Sequence, residues 1–124
     1  MIKIHYVSLL VGLMFLYGCS NPDYRPTIKE IMKPLQSELS NFYKKHQRYP
    51  THIERDQLLE NSGCTVKGDV CYYKGYKFKI ESYVSYDYSV ILKLKNSDCL
   101  TGLFKDGDIK VISCQYRGTT DLGQ

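Results

Sequence analysis

Tyr76-Lys77-Phe78-Lys79-Ile80-Glu81 alternates between apolar or aromatic side chains and charged ones. That period of two defines a strand with one buried face and one wet face. Tyr88, Val90, Leu92 and Leu94 repeat the pattern further along, with Ile91 interrupting the polar side. Upstream of Cys64 the period is helical instead. From Thr27 onward, Ile28, Ile31, Met32, Leu35, Leu39, Phe42 and Tyr43 recur at three- and four-residue steps, with Thr27 and Glu30 spaced as a capping box. Pro34 falls inside that pattern, so the helix is expected to kink there or to begin again with Pro34 in its first turn. Tyr49-Pro50 closes the region, because the residue before a proline is biased out of the helical conformation. A second, short helix is expected after it, with Thr51 and Glu54 as its capping box, Leu58 and Leu59 as its buried pair and Gly63 just past its end. Asn96-Ser97-Asp98 reads as a turn, and Asp106-Gly107 as a hairpin loop between Leu100 to Phe104 and Ile109 to Ser113. Helix first and strands after predicts an α+β fold, with a long N-terminal helix packed on a four- or five-stranded antiparallel meander.

Ahead of this domain lies a different kind of segment. Lys3 precedes an apolar run from Tyr6 to Tyr17, shorter than the roughly twenty residues a spanning helix needs. The run ends in Leu16-Tyr17-Gly18-Cys19, which resembles a bacterial lipoprotein signal. The resemblance implies cleavage before Cys19, diacylglycerol on its thiol and usually an acyl group such as palmitate on the new N-terminus. Several acyl chains, at about 0.8 kcal/mol per buried methylene, hold a protein on a membrane. Ser20 follows the cysteine instead of a retention-type aspartate, so the expected location is the outer membrane, on its periplasmic or surface face. The expected organisation is a signal peptide over 1–18, a lipidated tether over 19–26, one α+β domain over 27–116 and a flexible C-terminus over 117–124. A formal net charge of +4 is too mild to call for nucleic acid as a partner.

Five cysteines are an awkward number in an exported protein until Cys19 is assigned to lipid. Cys64, Cys71, Cys99 and Cys114 then remain, with none of the spacings of a zinc site, so neither metal nor cofactor is expected. Disulfides suit an oxidising periplasm. Four cysteines allow three connectivities, and hairpin counting argues for one. With Asp106-Gly107 as a two-residue loop, Lys105 faces Asp108 and Cys99 falls opposite Cys114. With Lys67-Gly68 as a loop, Val66 faces Asp69 and Cys64 falls opposite Cys71. Both pairs fall at hydrogen-bonded positions, where Cα atoms lie about 5.5 Å apart, a spacing that permits the bonds without selecting them.

The run Leu39-Ser40-Asn41-Phe42-Tyr43-Lys44-Lys45-His46-Gln47-Arg48-Tyr49-Pro50-Thr51 resembles the end of the long helix in type IV pilins and type II secretion pseudopilins. There an aromatic helix end is followed by a Tyr-Pro turn and then by a disulfide-bearing meander. The resemblance implies a pilin-like globular domain, here carried on a lipid anchor in place of a prepilin-peptidase site.

No motif for catalysis is present: no nucleophile elbow, no His-Glu-x-x-His and no phosphate-cradling glycine loop. His46 and His52 flank the Tyr-Pro turn and read as solvated loop residues. Tyrosine is the compositional oddity, with Tyr72, Tyr73, Tyr76, Tyr83, Tyr86 and Tyr88 close together. Most are expected in the sheet, where aromatic residues are favoured. Tyr83, Tyr86 and Tyr88 surround a turn containing Asp87 and are the candidate binding residues. The expected function is that of a non-enzymatic, lipid-anchored accessory or structural protein of a secretion or pilus apparatus, acting through an envelope protein partner. The alternative is a periplasmic binding or inhibitor module that captures a hydrolase, toxin or polymer. An exposed apolar stripe along the Ile28 to Phe42 helix would favour the first, and a tyrosine-lined groove the second. Oligomeric state is not legible.

Overall fold

The computed structural model describes residues 22–118. The lipobox with Cys19, the signal segment before it and residues 119–124 lie outside the described residues. Two helices, α1 (Arg25–His46) and α2 (His52–Asn61), precede six strands. The strands are β1 (Thr65–Lys67), β2 (Val70–Tyr73), β3 (Tyr76–Val84), β4 (Tyr88–Leu94), β5 (Ser97–Leu103) and β6 (Ile109–Tyr116), forming one antiparallel sheet in sequence order. The class is α+β, and the sheet has six strands where four or five were expected. The missed division is at Lys74-Gly75, where φ is 49° and 82°. Two successive left-handed residues make the tight turn whose twist matches a hairpin, without the Asn or Asp that usually announces it.

The period of α1 follows from what it covers. Ile28, Ile31, Met32, Leu35 and Leu39 are fully buried, and the helix packs on β5 and β6. Each such side chain contributes about 1.5–3 kcal/mol by leaving water, enough together to carry the helix through Pro34, which lies inside it without a break. The helix begins at Arg25, not Thr27, with Pro26 in its first turn and Tyr24 as an N-cap that makes no side-chain cap bond. Arg25 and Pro26 therefore belong to the helix and not to a tether. Glu30, freed from the expected capping box, accepts from Tyr73 Oη at 2.7 Å and from Lys74 Nζ at 2.8 Å. At the other end Gln47 takes the left-handed conformation and its N–H donates to Tyr43 O at 2.8 Å, so α1 stops before the Tyr-Pro turn.

In α2 the expected capping box is formed. Glu54 N–H donates to Thr51 Oγ1, and Thr51 N–H donates to Glu54 Oε1 at 2.9 Å.

Two further turns differ from their sequence reading. The β4–β5 turn is Lys95-Asn96, and Ser97 is buried in β5, where its Oγ accepts from Tyr24 N–H at 2.9 Å. The β5–β6 loop holds three residues, Lys105 to Gly107, inside a Phe104 N–H to Asp108 O bond of 2.7 Å. Gly107, at φ 88°, lies against the Tyr43 ring, where no side chain fits.

The disulfides join Cys64 to Cys71 and Cys99 to Cys114. Neither arises quite as the counting had it. The β1–β2 loop is Gly68-Asp69, so Val66 and not Cys64 stands opposite Cys71. Cys64 lies just ahead of β1 on the same face as Cys71, with the two Cα atoms 5.2 Å apart. In the second hairpin, the three-residue loop pairs Leu103 with Ile109. A bulge that sets Val111 and Ile112 against Thr101 then restores the register, and Cys99 again faces Cys114. Their Cα atoms are 4.0 Å apart, the close spacing of a non-hydrogen-bonded pair and not the hydrogen-bonded spacing expected.

Candidate functional site

The direction of α1 sets the two poles of the molecule. Its start is tied to the end of the sheet where β3 begins and β4 turns into β5. There Tyr24 N–H donates to Ser97 Oγ, and the Tyr24 ring meets Tyr76 edge-on at 5.5 Å. A 22-residue helix spans about 33 Å. Its last turns therefore reach the opposite pole, where the β3–β4 turn and the β5–β6 loop meet the Tyr-Pro turn.

An open cleft of about 340 Å³ lies at that far pole, lined by Tyr43, Arg48, Tyr49, Tyr86 and Lys105. Pro50 behind Tyr49 is buried, which fixes the turn that aims the Tyr49 ring. The Tyr49 hydroxyl donates to Tyr86 O at 2.8 Å, and its ring stacks on Tyr88 at 5.6 Å and meets Tyr43 at 6.1 Å. Burial, then the nearby Asp87 carboxylate, pushes the Tyr49 hydroxyl above its usual range, so it remains a neutral donor. Lys105 N–H donates to Asp87 Oδ1 at 3.0 Å, which holds the β5–β6 loop against the β3–β4 turn. Arg48 grips Glu54 through two bonds of 2.7 and 2.9 Å, and its guanidinium lies 5.3 Å over the Phe42 ring. The Arg48 guanidinium, then the Thr51 N–H, lowers the Glu54 carboxyl to about 2.

A second open cleft, of about 370 Å³, runs beside β3 and is lined by His52, Arg55, Asp69 and residues 79–83. Arg55 is only 2% exposed. Its Nε and Nη2 donate to Asp56 Oδ1 at 3.0 and 2.7 Å, and Nη1 donates to Ser82 Oγ at 2.9 Å. Nη2 also meets His52 Nε2 at 3.0 Å. A guanidinium only donates, so that ring nitrogen accepts. His52 lies 3.7 Å from Asp69 at the β1–β2 turn and 4.0 Å from Asp56. A buried cation so fully bonded ties α2 to β3, and breaking such a set leaves an unpaired charge.

The candidate binding residues separate. Tyr86 is 83% exposed and Tyr83 56%, and the Tyr83 hydroxyl donates to Glu81 Oε1 at 2.6 Å on the wall of the second cleft. Tyr88, expected as a contact residue, is buried in β4 at 2% exposure, because Val90 and Leu92 on its own face carry it into the core. His46 and His52, expected as solvated loop residues, are exposed but are the last residue of α1 and the first of α2. His46 packs on Phe42 at 4.3 Å, whereas His52 belongs to the Arg55 network.

Tyr43, Arg48, Tyr49 and Lys105 were not read as site residues from the sequence. Arg55 was also missed, yet it carries a signal: it stands three and four residues before Leu58 and Leu59, on the buried stripe of α2. Among the described residues, no helix is long and apolar enough to cross a membrane, and no three His, Cys, Asp or Glu side chains converge as a metal site. No family model, curated protein or solved structure matches the chain.

Proposed function

We propose that this chain is a lipid-anchored, non-enzymatic envelope protein that works by holding a partner in the aromatic cleft of Tyr43, Tyr49 and Tyr86. The carrying observation is the position of that cleft, about 33 Å of helix away from where the chain enters the domain. With Cys19 acylated, the tether would hold the entry pole at the membrane and present the cleft away from it. The apolar stripe of α1, which would have favoured packing into an apparatus, is spent on the protein's own sheet. A tyrosine-lined cleft with Lys105 at its rim suits a binding or inhibitor module. Rigid amphipathic rings give contact area at low entropic cost.

The second reading is an accessory role in a secretion or pilus apparatus. It rests on the pilin-like run Leu39 to Thr51 leading into the Tyr-Pro turn. On that reading, partners would contact the exposed face of α1 around Lys29 and Lys33.

A photo-crosslinking residue at Tyr86, compared with one at Lys33, separates the two in living cells. Capture of a hydrolase, toxin or polymer at position 86 supports the binding module. Capture of pilus or secretion components at position 33 alone replaces it with the accessory role. Cys19→Ala is expected to abolish lipid labelling and membrane retention, and unchanged fractionation of that variant would remove the anchor from the proposal.

A further inference from the structure

We infer that the edge of β3 from Ser82 to Val84 is a strand-addition site, which takes an extended segment of a partner polypeptide in line with β2. The observation is a mismatch in strand length. β3 runs to Val84 and pairs with β4 along residues 79–84, but β2 pairs with it only along residues 76–79. One more bond, Ile80 N–H to Asp69 O at 2.8 Å, closes that side. Alternate residues of a strand direct their backbone groups to opposite neighbours. The N–H and C=O groups of Ser82 and Val84 therefore point the same way as the Ile80 N–H. Past Asp69, no strand lies beside them among the described residues.

Natural sheets blunt such an edge with charged side chains, a proline, a bulge or a covering element. From Glu81 to Val84 there is no proline and no register shift. The one charged side chain there, Glu81, is held by Lys93 and Tyr83. Arg55 reaches Ser82 through its side-chain hydroxyl, leaving the backbone groups to the edge. An open cleft of about 370 Å³ runs along this edge instead. Asp69 marks its end where β2 stops. His52 and Arg55 stand on the core-facing side, and Lys79, Glu81 and Tyr83 on the opposite face of β3.

The charges along the cleft argue for polypeptide backbone as the thing recognised. Arg55 and Lys79 are balanced by Asp69 and Glu81. Arg55 is also committed to Asp56, and Glu81 to Lys93 at 3.2 Å and to Tyr83. A nearly neutral trough, with the amides and carbonyls of Ser82 and Val84 turned toward it and no strand paired to them among the described residues, matches a partner strand, whose affinity comes from main-chain bonds and whose selectivity comes from alternate side chains. Val84, 65% exposed, offers one apolar contact at the open end. This surface is separate from the aromatic cleft, and its failure would leave that reading untouched.

The measurement uses the full chain in detergent, with eight-residue peptides selected from a random display library as the probe. Bound peptide is expected to slow amide hydrogen exchange at Ser82 and Val84 by tenfold or more. Val84→Pro removes one outward N–H while sparing the β4 ladder and is expected to weaken the peptide about tenfold, the scale of one backbone hydrogen bond. Val84→Thr keeps that N–H and is expected to bind like the parent. Tyr86→Ala is expected to leave the peptide's affinity unchanged. Peptides that leave both amides exchanging as in the free protein, or that lose affinity in Tyr86→Ala and not in Val84→Pro, would overturn the inference. So would a concentration-dependent dimer that protects the same amides without peptide.

Discussion

Replacing Tyr88 by phenylalanine is expected to stabilise this protein. The Tyr88 ring is buried and stacks on Tyr49 at 5.6 Å, and phenylalanine keeps both features. Its hydroxyl, however, is buried without a hydrogen-bond partner among the described residues. A polar group left in that state costs about 1–3 kcal/mol, while removing it from an apolar site of the same shape is neutral or favourable. The expected gain is therefore about 1–2 kcal/mol, and for a domain of this size each kcal/mol raises the melting temperature by about 4–8 °C. A second signature separates this account from a general packing effect. Burial pushes the Tyr88 hydroxyl well above its ordinary value of 10.0. The unfolded tyrosine ionises first, so this group leaves stability unchanged with pH below its unfolded pKa and lowers it as pH rises past that value. Wild-type stability should fall as pH climbs above 10, and Tyr88→Phe should flatten that decline. Thermal denaturation with the disulfides intact, at pH 7 and between pH 9 and 11, measures both effects. A lower melting temperature for Tyr88→Phe at pH 7 would refute the reasoning that the hydroxyl is buried at a cost.

Gly102→Ala is expected to destabilise by about 1–3 kcal/mol or more, because a Cβ there meets the Tyr88 carbonyl and backbone of β4. Unchanged chemical denaturation of that variant would show that β4 and β5 can part without cost. Glu54, held at about 2 first by Arg48 and then by Thr51, supports the fold above its ordinary pKa of 4.5 and loses that support as pH falls toward 2. Glu54→Gln should therefore be less stable than wild type at pH 6, with the gap in urea midpoint narrowing by pH 2.5. A gap that stays constant with pH would remove the ionised carboxylate from the explanation.

The core was legible because burial imposes a period, and the period survives local irregularity. The stripe from Ile28 to Leu39 outlasts Pro34, since five buried side chains outweigh one lost backbone bond. The turns were read less well for a chemical reason. Gln47, Lys74 and Lys95 sit at φ of 56°, 49° and 53°, the region where glycine or asparagine is looked for and where these residues are uncommon. The aromatic cleft draws Tyr43, Tyr49, Tyr86 and Lys105 from four separate segments, so no window of sequence contains it. Tyr88 shows the converse. Proximity to a turn suggested exposure, but Tyr88 shares its face of β4 with Val90 and Leu92, and a strand keeps that alternation up to its end.

The cysteine pairs show why a correct pairing can follow from an incorrect turn. Sliding a two-residue loop by one position, from Lys67-Gly68 to Gly68-Asp69, moves the cross-strand pairing by two residues. A shift of two preserves which side chains share a face. Cys64 and Cys71 therefore stay on one face as diagonal neighbours, and the free chain ahead of β1 brings them together. At the other hairpin the loop gains a residue, which alone would shift the pairing by one and put Cys99 and Cys114 out of step. The bulge opposite Thr101 inserts a compensating residue in β6, and Thr101 Oγ1 donates to Lys110 O at 2.9 Å where the strands are irregular. Gln36 of α1 donates to that same carbonyl at 2.7 Å. The bulge is thus held from both the sheet and the helix, which keeps the cysteine register fixed although the loop chemistry by itself does not.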